Sequence, residues 1–139
     1  MIHPPLTRWK CDHCGQLIES ADDGYVVWED QGSGDAGFEI IHHGKCDKNG
    51  KSSSGALRDF LGPNGLAKLT SHLSYGILKP GFGQPLVADM DSFVDFFRRV
   101  QLPYYEEARP GLLSEQEAWS DANEVRPYLQ DVLQRLAKG

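Results

Sequence analysis

Three cysteines and a histidine in the first third of the chain have the residue types and the spacing of a metal site. Cys11 and Cys14 form a Cys-x2-Cys pair, and after twenty-eight intervening residues His43 and Cys46 form a His-x2-Cys pair. Two thiolates at this spacing lie on one tight turn, and tetrahedral Zn2+ prefers sets of cysteine sulfur and histidine nitrogen. The sequence therefore predicts that Cys11, Cys14, His43 and Cys46 bind Zn2+ as a structural cofactor.

His42 is the alternative to His43 as the fourth ligand. It would leave a gap of three residues before Cys46, whereas His43 leaves the commoner gap of two. Neighbouring residues of a strand point to opposite faces of the sheet, so only one of the two histidines can face the thiols. The gap length favours His43, and His42 stays open.

Four protein ligands leave no open position on the metal, which is typical of structural zinc. Three other interpretations of the same residues are weaker. A redox Cys-x2-Cys pair lacks the surrounding βαβ pattern of thioredoxin-like proteins, and a Cys46 nucleophile would use the same sulfur atom that zinc uses. A catalytic zinc requires that neither histidine completes the site, so that water takes the fourth position. The sequence thus favours a protein that is not an enzyme.

Composition and charge limit the classes of partner. The chain has 139 residues, 40% of them hydrophobic, which is the size of one ordinary domain with its own core. Its net charge is -6, and neither half is basic. Because binding to a phosphate backbone draws on clustered lysine and arginine, the acidic total favours another protein as partner over nucleic acid.

The sequence also bears on the cellular compartment. All three cysteines fall in the ligand pattern, which fits a reducing compartment better than a disulfide framework. The first residues, Met1 to Pro5, lack the basic and apolar regions of a secretion signal, and no apolar run approaches the roughly 20 residues of a membrane span. We therefore expect a cytoplasmic protein with no membrane association.

The elements that must position the ligands are a β-hairpin followed by helices. Residues 25 to 29 and 38 to 42 are rich in β-branched and aromatic side chains, which predicts two paired strands. The Gly- and Asp-rich residues 30 to 37 predict a mobile loop between them. After the hydrophilic residues 47 to 55, apolar residues recur at steps of three and four. The predicted fold class is α+β: a zinc-bound hairpin lobe at residues 1 to 52, packed on four or five short α-helices at residues 53 to 139.

Three details of the helical region are specific enough to test. Asp91 is the expected N-cap of a helix that buries Phe93, Val94, Phe97 and Val100. Pro110 is expected to end a short helix that begins near Tyr104, and Ser114 has capping-box spacing for a last helix. Pro127 is expected to kink or split that last helix.

Other candidate binding residues are less specific. The adjacent tyrosines Tyr104 and Tyr105 suit an interface if one ring of the helical pair faces outward, and the alternative is that both rings cover the core where the last two helices meet. Two basic clusters are candidate phosphate contacts, one of Arg98, Arg99, Lys68 and Arg58, and one of Lys10, Lys45, Lys48 and Lys51 near the zinc ligands. The glycine motif of residues 32 to 37 lies between two strands and so lacks the helix N-terminus of a dinucleotide site.

The pattern Cys-x2-Cys, Trp-containing hairpin, His-x2-Cys resembles zinc-ribbon and treble-clef modules, and its spacing is similar to a stretched first half of a LIM domain. The whole chain also resembles small bacterial or prophage proteins with a Cys-x2-Cys start and a helical tail. The resemblance to LIM domains implies protein binding. We therefore expect a zinc-stabilised, non-enzymatic protein-interaction or regulatory module, with a nucleic-acid-binding accessory factor as the alternative.

Overall fold

The computed structural model describes residues 3–46, 51–80, 87–120 and 123–139. These residues form an α+β fold, as predicted. The strands are β1 Trp9–Lys10, β2 Leu17–Ile18, β3 Gly24–Asp30, β4 Asp35–His42 and β5 Ser53–Ala56. The helices are α1 Gly62–Leu73, α2 Met90–Gln101, α3 Tyr105–Ser114 and α4 Gln130–Lys138. No helix in these ranges is long and apolar enough to cross a membrane.

The strands form two antiparallel sheets. The short β1 and β2 pair with each other around the Cys-x2-Cys turn, and the second sheet has the order β4-β3-β5. The predicted hairpin is confirmed, since β3 pairs with β4 from Gly24 opposite His42 to Asp30 opposite Asp35. The connecting loop is shorter than predicted, because β4 already begins at Asp35.

The sequence does not predict β5. Ser53, Ser54 and Gly55 are poor strand formers, yet they pair with β3 along its second edge. Leu57 and Phe60 follow at once in a short 3-10 helix, and both side chains are fully buried. Burial of these two anchors brings the preceding polar residues to the sheet edge. The sheet therefore continues past residue 52. The division of the chain at that residue into a zinc-binding lobe and a helical region stays a prediction.

The main core lies between the three-stranded sheet and helices α1 and α2. Aromatic side chains dominate it, and Phe38 of β4 contacts both Phe93 and Phe96 of α2 with ring centroids 5.2 Å apart. His72 of α1 stands edge-on to the rings of Trp28 and Phe38. A smaller core, built on Tyr105, Ala108, Leu112 and Leu133, joins α3 to α4.

Two helix boundaries differ from the expectation. The N-cap of α2 is Asp89, whose side chain accepts a hydrogen bond from the Ser92 backbone at 3.2 Å, and not Asp91. Pro110 lies inside α3, which continues to Ser114, so Ser114 ends a helix and does not cap the next one. Pro110 is the sixth residue of α3, and the helix runs on beyond it.

The buried face of α2 and the last helix are also corrected. Phe93 and Val100 are buried as expected, but their buried neighbours are Phe96 and Arg99, whereas Val94 and Phe97 are only partly buried. Pro127 does interrupt the predicted last helix, because Pro127 lies in a 3-10 helix at Arg126–Tyr128 and α4 begins only after it.

Candidate metal centre

The structure brings three thiols and one imidazole together at the edge of the β4-β3-β5 sheet. The donor atoms of Cys11, Cys14, His42 and Cys46 all lie within 4.8 Å of one another. His42 Nδ1 is 3.4 Å from Cys14 Sγ and 3.8 Å from Cys46 Sγ. A tetrahedral zinc ion, with Zn–S of about 2.3 Å and Zn–N of about 2.0 Å, separates sulfur from nitrogen by about 3.5 Å and sulfur from sulfur by about 3.8 Å. The cluster therefore has the composition and the size of a four-ligand metal site.

Backbone hydrogen bonds shape the turn that carries the first two cysteines. The Gly15 amide donates to the Cys11 carbonyl at 2.9 Å, and the Cys11 amide donates to the Gln16 carbonyl at 2.9 Å. Gly15 has a φ of +78°, which residues with a side chain rarely adopt. The turn holds both sulfurs on one side, and Trp9 just before it is fully buried.

Asp12 fixes this turn to strand β4. Its amide donates to the Ile40 carbonyl at 2.8 Å, and its carboxylate accepts from the Ile40 amide at 2.8 Å. These bonds use backbone groups of Ile40 on the edge of β4 that does not pair with β3. Because the turn sits against Ile40, the cysteines lie beside the residue two positions further along the same face, which is His42.

The fourth side chain is thus His42, whereas the sequence favours His43. His43 follows the end of β4, is exposed, and packs its ring against Tyr25 with centroids 4.9 Å apart. Tyr25 pairs with Ile41, so His43 lies on the side of the sheet opposite the thiols. The gap of three residues to Cys46 is accommodated by Gly44, which has a φ of +81°. The structure therefore brings His42, and not His43, to the three thiols.

A second hydrogen bond orients the His42 ring. Its Nε2 lies 3.1 Å from the Leu17 carbonyl oxygen of β2, which can only accept, so Nε2 carries the proton. In the neutral imidazole Nδ1 then presents a lone pair to the thiols. Metal-binding histidines commonly donate their second ring nitrogen to a carbonyl in this way.

The environment of the thiols differs from one cysteine to the next. Burial raises the pKa of Cys11, but hydrogen bonds from the backbone of Cys14, His42 and His13 outweigh it and lower that pKa to about 6. Burial and the neighbouring thiols Cys11 and Cys14 raise the pKa of Cys46 to about 11. Several thiolates this close repel one another unless a cation neutralises them, so the donor set favours a bound metal ion.

The candidate site is tied to the helical region by a buried arginine, which was predicted from the sequence to belong to a basic cluster for phosphate. Arg99 of α2 is 3% exposed and donates to Asp12 at 2.7 Å and to Glu106 of α3 at 2.6 Å. Trp9 Nε1 also donates to the Arg99 carbonyl at 3.0 Å. The apolar periodicity of a helix does not indicate that a cation is buried on it. The one sequence signal for a buried Arg99 is the presence of acidic residues that could pair with it.

Three cations of the predicted basic clusters lie beside carboxylates in the described residues. Arg99 is buried against carboxylates, Arg58 lies 3.1 Å from Asp22, and Lys51 lies 3.9 Å from Glu29. Lys48 lies outside the described residues. Of the tyrosine pair, Tyr105 is buried and Tyr104 is half-buried.

Comparison with models of protein families, with curated proteins and with solved structures finds no match to this chain. The resemblance to zinc-ribbon, treble-clef and LIM modules therefore rests on the Cys3His cluster alone.

Proposed function

We propose that Cys11, Cys14, His42 and Cys46 bind one Zn2+ ion as a closed structural site. The observation that carries this proposal is the convergence of four soft donors within 4.8 Å, with the His42 Nδ1 to sulfur distances of 3.4 and 3.8 Å close to those of tetrahedral zinc. Thiolate and imidazole ligands favour zinc over the hard cations Mg2+ and Ca2+, which prefer oxygen.

A closed site favours a structural role over a reaction. His42 supplies a fourth donor, so no position is left for the water that a catalytic zinc activates. The same coordination removes Cys46 as a free nucleophile. We therefore propose that the chain is a non-enzymatic protein-interaction or regulatory module, in which zinc fixes the Cys-x2-Cys turn against β4 and α2.

The alternative, a nucleic-acid-binding accessory factor, has less support. Lys10 and Lys45 are exposed near the thiols, but Lys51 lies 3.9 Å from Glu29 and 4.0 Å from Glu39. Its charge is therefore offset locally, and the whole chain carries a net charge of -6. Two exposed lysines are a weak footprint for a phosphate backbone.

Co-purification separates the two roles. The tagged full chain is isolated from cells that produce it naturally, with and without nuclease, and washed at low and at high salt. We expect a protein partner that survives both nuclease and high salt, since apolar contacts are not screened. Nucleic acid that elutes steeply with salt would instead establish the alternative.

A further inference from the structure

An open apolar groove runs between helices α1 and α2. It has a volume of about 540 Å3. Leu66 and Leu73 of α1 form one wall, and Val94 and Phe97 of α2, with Leu102 just after it, form the other. Leu66 and Leu73 are 43% and 39% exposed although both are large apolar side chains.

The spacing of the wall residues matches that of a helix laid in the groove. Leu66 and Leu73 are seven residues apart, and so occupy one face over two turns of α1, about 10 Å. Val94 and Phe97 are three residues apart and share one face of α2. An amphipathic helix places its apolar side chains at positions i, i+3, i+4 and i+7, so it would present one side chain per turn to this groove.

Arg98 supplies a charge at the groove. Its guanidinium lies 3.5 Å from the centre of the Tyr128 ring, which fixes the side chain by a cation-π contact. Among the described residues no carboxylate lies within ion-pair distance of Arg98, whereas Arg58, Arg99, Arg109 and Arg126 each have one. A fixed arginine without a carboxylate beside an apolar surface has the composition of a binding hot spot.

From this combination we propose that the α1-α2 groove binds an amphipathic helix of a partner protein whose apolar face is flanked by an acidic side chain that pairs with Arg98. The inference rests on the proposed interaction role and names its surface. The net charge of -6 does not oppose it at physiological salt, because charges more than about 8 Å away are screened and Arg98 is the charged residue that lines the groove.

Two synthetic helical peptides of roughly 18 residues test the proposal, since shorter helices are marginal in water. Both carry leucine at i, i+3, i+4 and i+7, and one has glutamate and the other lysine at the flanking positions. Binding to the full zinc-loaded chain is measured by fluorescence anisotropy at physiological salt. We expect the glutamate peptide to bind about fivefold more tightly, the size of one exposed ion pair, and Arg98→Glu to reverse this preference.

The groove itself is tested with two matched variants. Leu66→Glu should weaken binding of both peptides at least about tenfold, whereas Leu113→Glu, at a leucine that is 58% exposed outside the groove, should leave it unchanged. Reversal by Arg98→Glu also shows that this variant is folded.

Three results would overturn the proposal: no binding of either peptide, equal binding of both, or equal effects of Leu66→Glu and Leu113→Glu. A concentration-dependent dimer in sedimentation velocity that Leu66→Glu abolishes would assign the groove to a second copy of the chain and would also overturn the proposal.

The interaction role of the chain is tested separately from the groove. If the co-purified partner is retained by Leu66→Glu, the groove assignment is wrong and the role stands, and if wild type retains no partner, the role itself is wrong.

Discussion

At the scale of single residues, the candidate site depends on Arg99 as well as on the four donor side chains. Arg99 is charged and buried, and although burial disfavours the charged form, Glu106 and Asp12 raise its pKa above the ordinary value. Its bonds to Asp12 join the Cys-x2-Cys turn to α2, and those to Glu106 join α2 to α3. One side chain therefore connects three parts of the chain.

Replacing Arg99 with alanine should destabilise the protein strongly. The variant leaves Glu106 and Asp12 without their cation, and removal of one partner of a buried ion pair costs about 3 to 5 kcal/mol. Arg58→Ala is the control, because Arg58 and Asp22 are mostly exposed and such a pair contributes less than about 1 kcal/mol. The free energy of unfolding is measured by urea denaturation. Similar losses for the two variants would contradict this account of Arg99.

Asp95 makes the stability depend on pH in the acid range. Burial raises its pKa, but hydrogen bonds from Arg109 at 2.8 Å and from the Tyr105 hydroxyl at 2.5 Å, with the charge of Arg99 nearby, bring it below the ordinary value of 3.8. Below about pH 3.8 the unfolded chain then binds more protons than the folded chain at this position. The contribution of Asp95 is therefore complete above about pH 5 and is lost progressively as the pH falls through the unfolded and then the folded pKa.

Denaturation of wild type and Asp95→Asn between pH 6 and pH 2 measures this contribution. The range includes the pH at which an ordinary aspartate titrates, about 3.9. We expect a constant difference in unfolding free energy above about pH 5 that narrows as the pH falls further. A difference that does not change with pH would show that the pKa of Asp95 is not lowered in the fold.

At the scale of elements, the sequence predicts the parts that follow from local pattern. The β3-β4 hairpin follows from β-branched and aromatic runs, and the Cys-x2-Cys turn follows from its spacing. The choice of histidine does not, because His42 and His43 are adjacent and only the docking of Asp12 on Ile40 decides which face meets the thiols. In the same way, the buried face of α2 depends on packing against Phe38, which periodicity alone does not give.

The first turn of α1 packs so closely against the backbone of Phe60 that only glycine fits at position 65. A Cβ atom at Gly65 would clash with the backbone carbonyl of Phe60, which precedes the helix. Gly65→Ala should therefore destabilise the protein by about 1 to 3 kcal/mol, although alanine is ordinarily the better helix former by about 1 kcal/mol. Ser71→Ala, at an exposed position of the same helix, should change stability by less than about 0.5 kcal/mol. A Gly65→Ala variant as stable as wild type would show that α1 can shift freely.

At the scale of the whole molecule, the metal centre and the helices are expected to unfold together. The Cys-x2-Cys turn contacts α2 and α3 through Arg99, Trp9 and the bond from the Lys10 amide to Glu106 at 2.9 Å. Loss of the turn would therefore expose carboxylates and an arginine that are now buried between elements. A ligand that binds only the folded state adds its binding free energy to the stability of everything that unfolds with it.

Chelation of the metal under reducing conditions should lower the midpoint of thermal unfolding as measured by the helical circular dichroism signal. We expect one transition for helices and strands, and its recovery when Zn2+ is added back. A helical signal that melts at the same temperature with and without metal would show that the helices fold independently of the centre.

The most direct test of the central claim is the zinc content of wild type, His42→Ala and His43→Ala after refolding with Zn2+ in reducing buffer. We predict one zinc ion per chain for wild type and for His43→Ala. His42→Ala should bind zinc at least about tenfold more weakly, since even the loss of a group that only orients a ligand costs that much. Cys11→Ser and Cys46→Ser should lose zinc as well. Wild type that binds no zinc, or His42→Ala that retains it while His43→Ala does not, would contradict the site described for this chain.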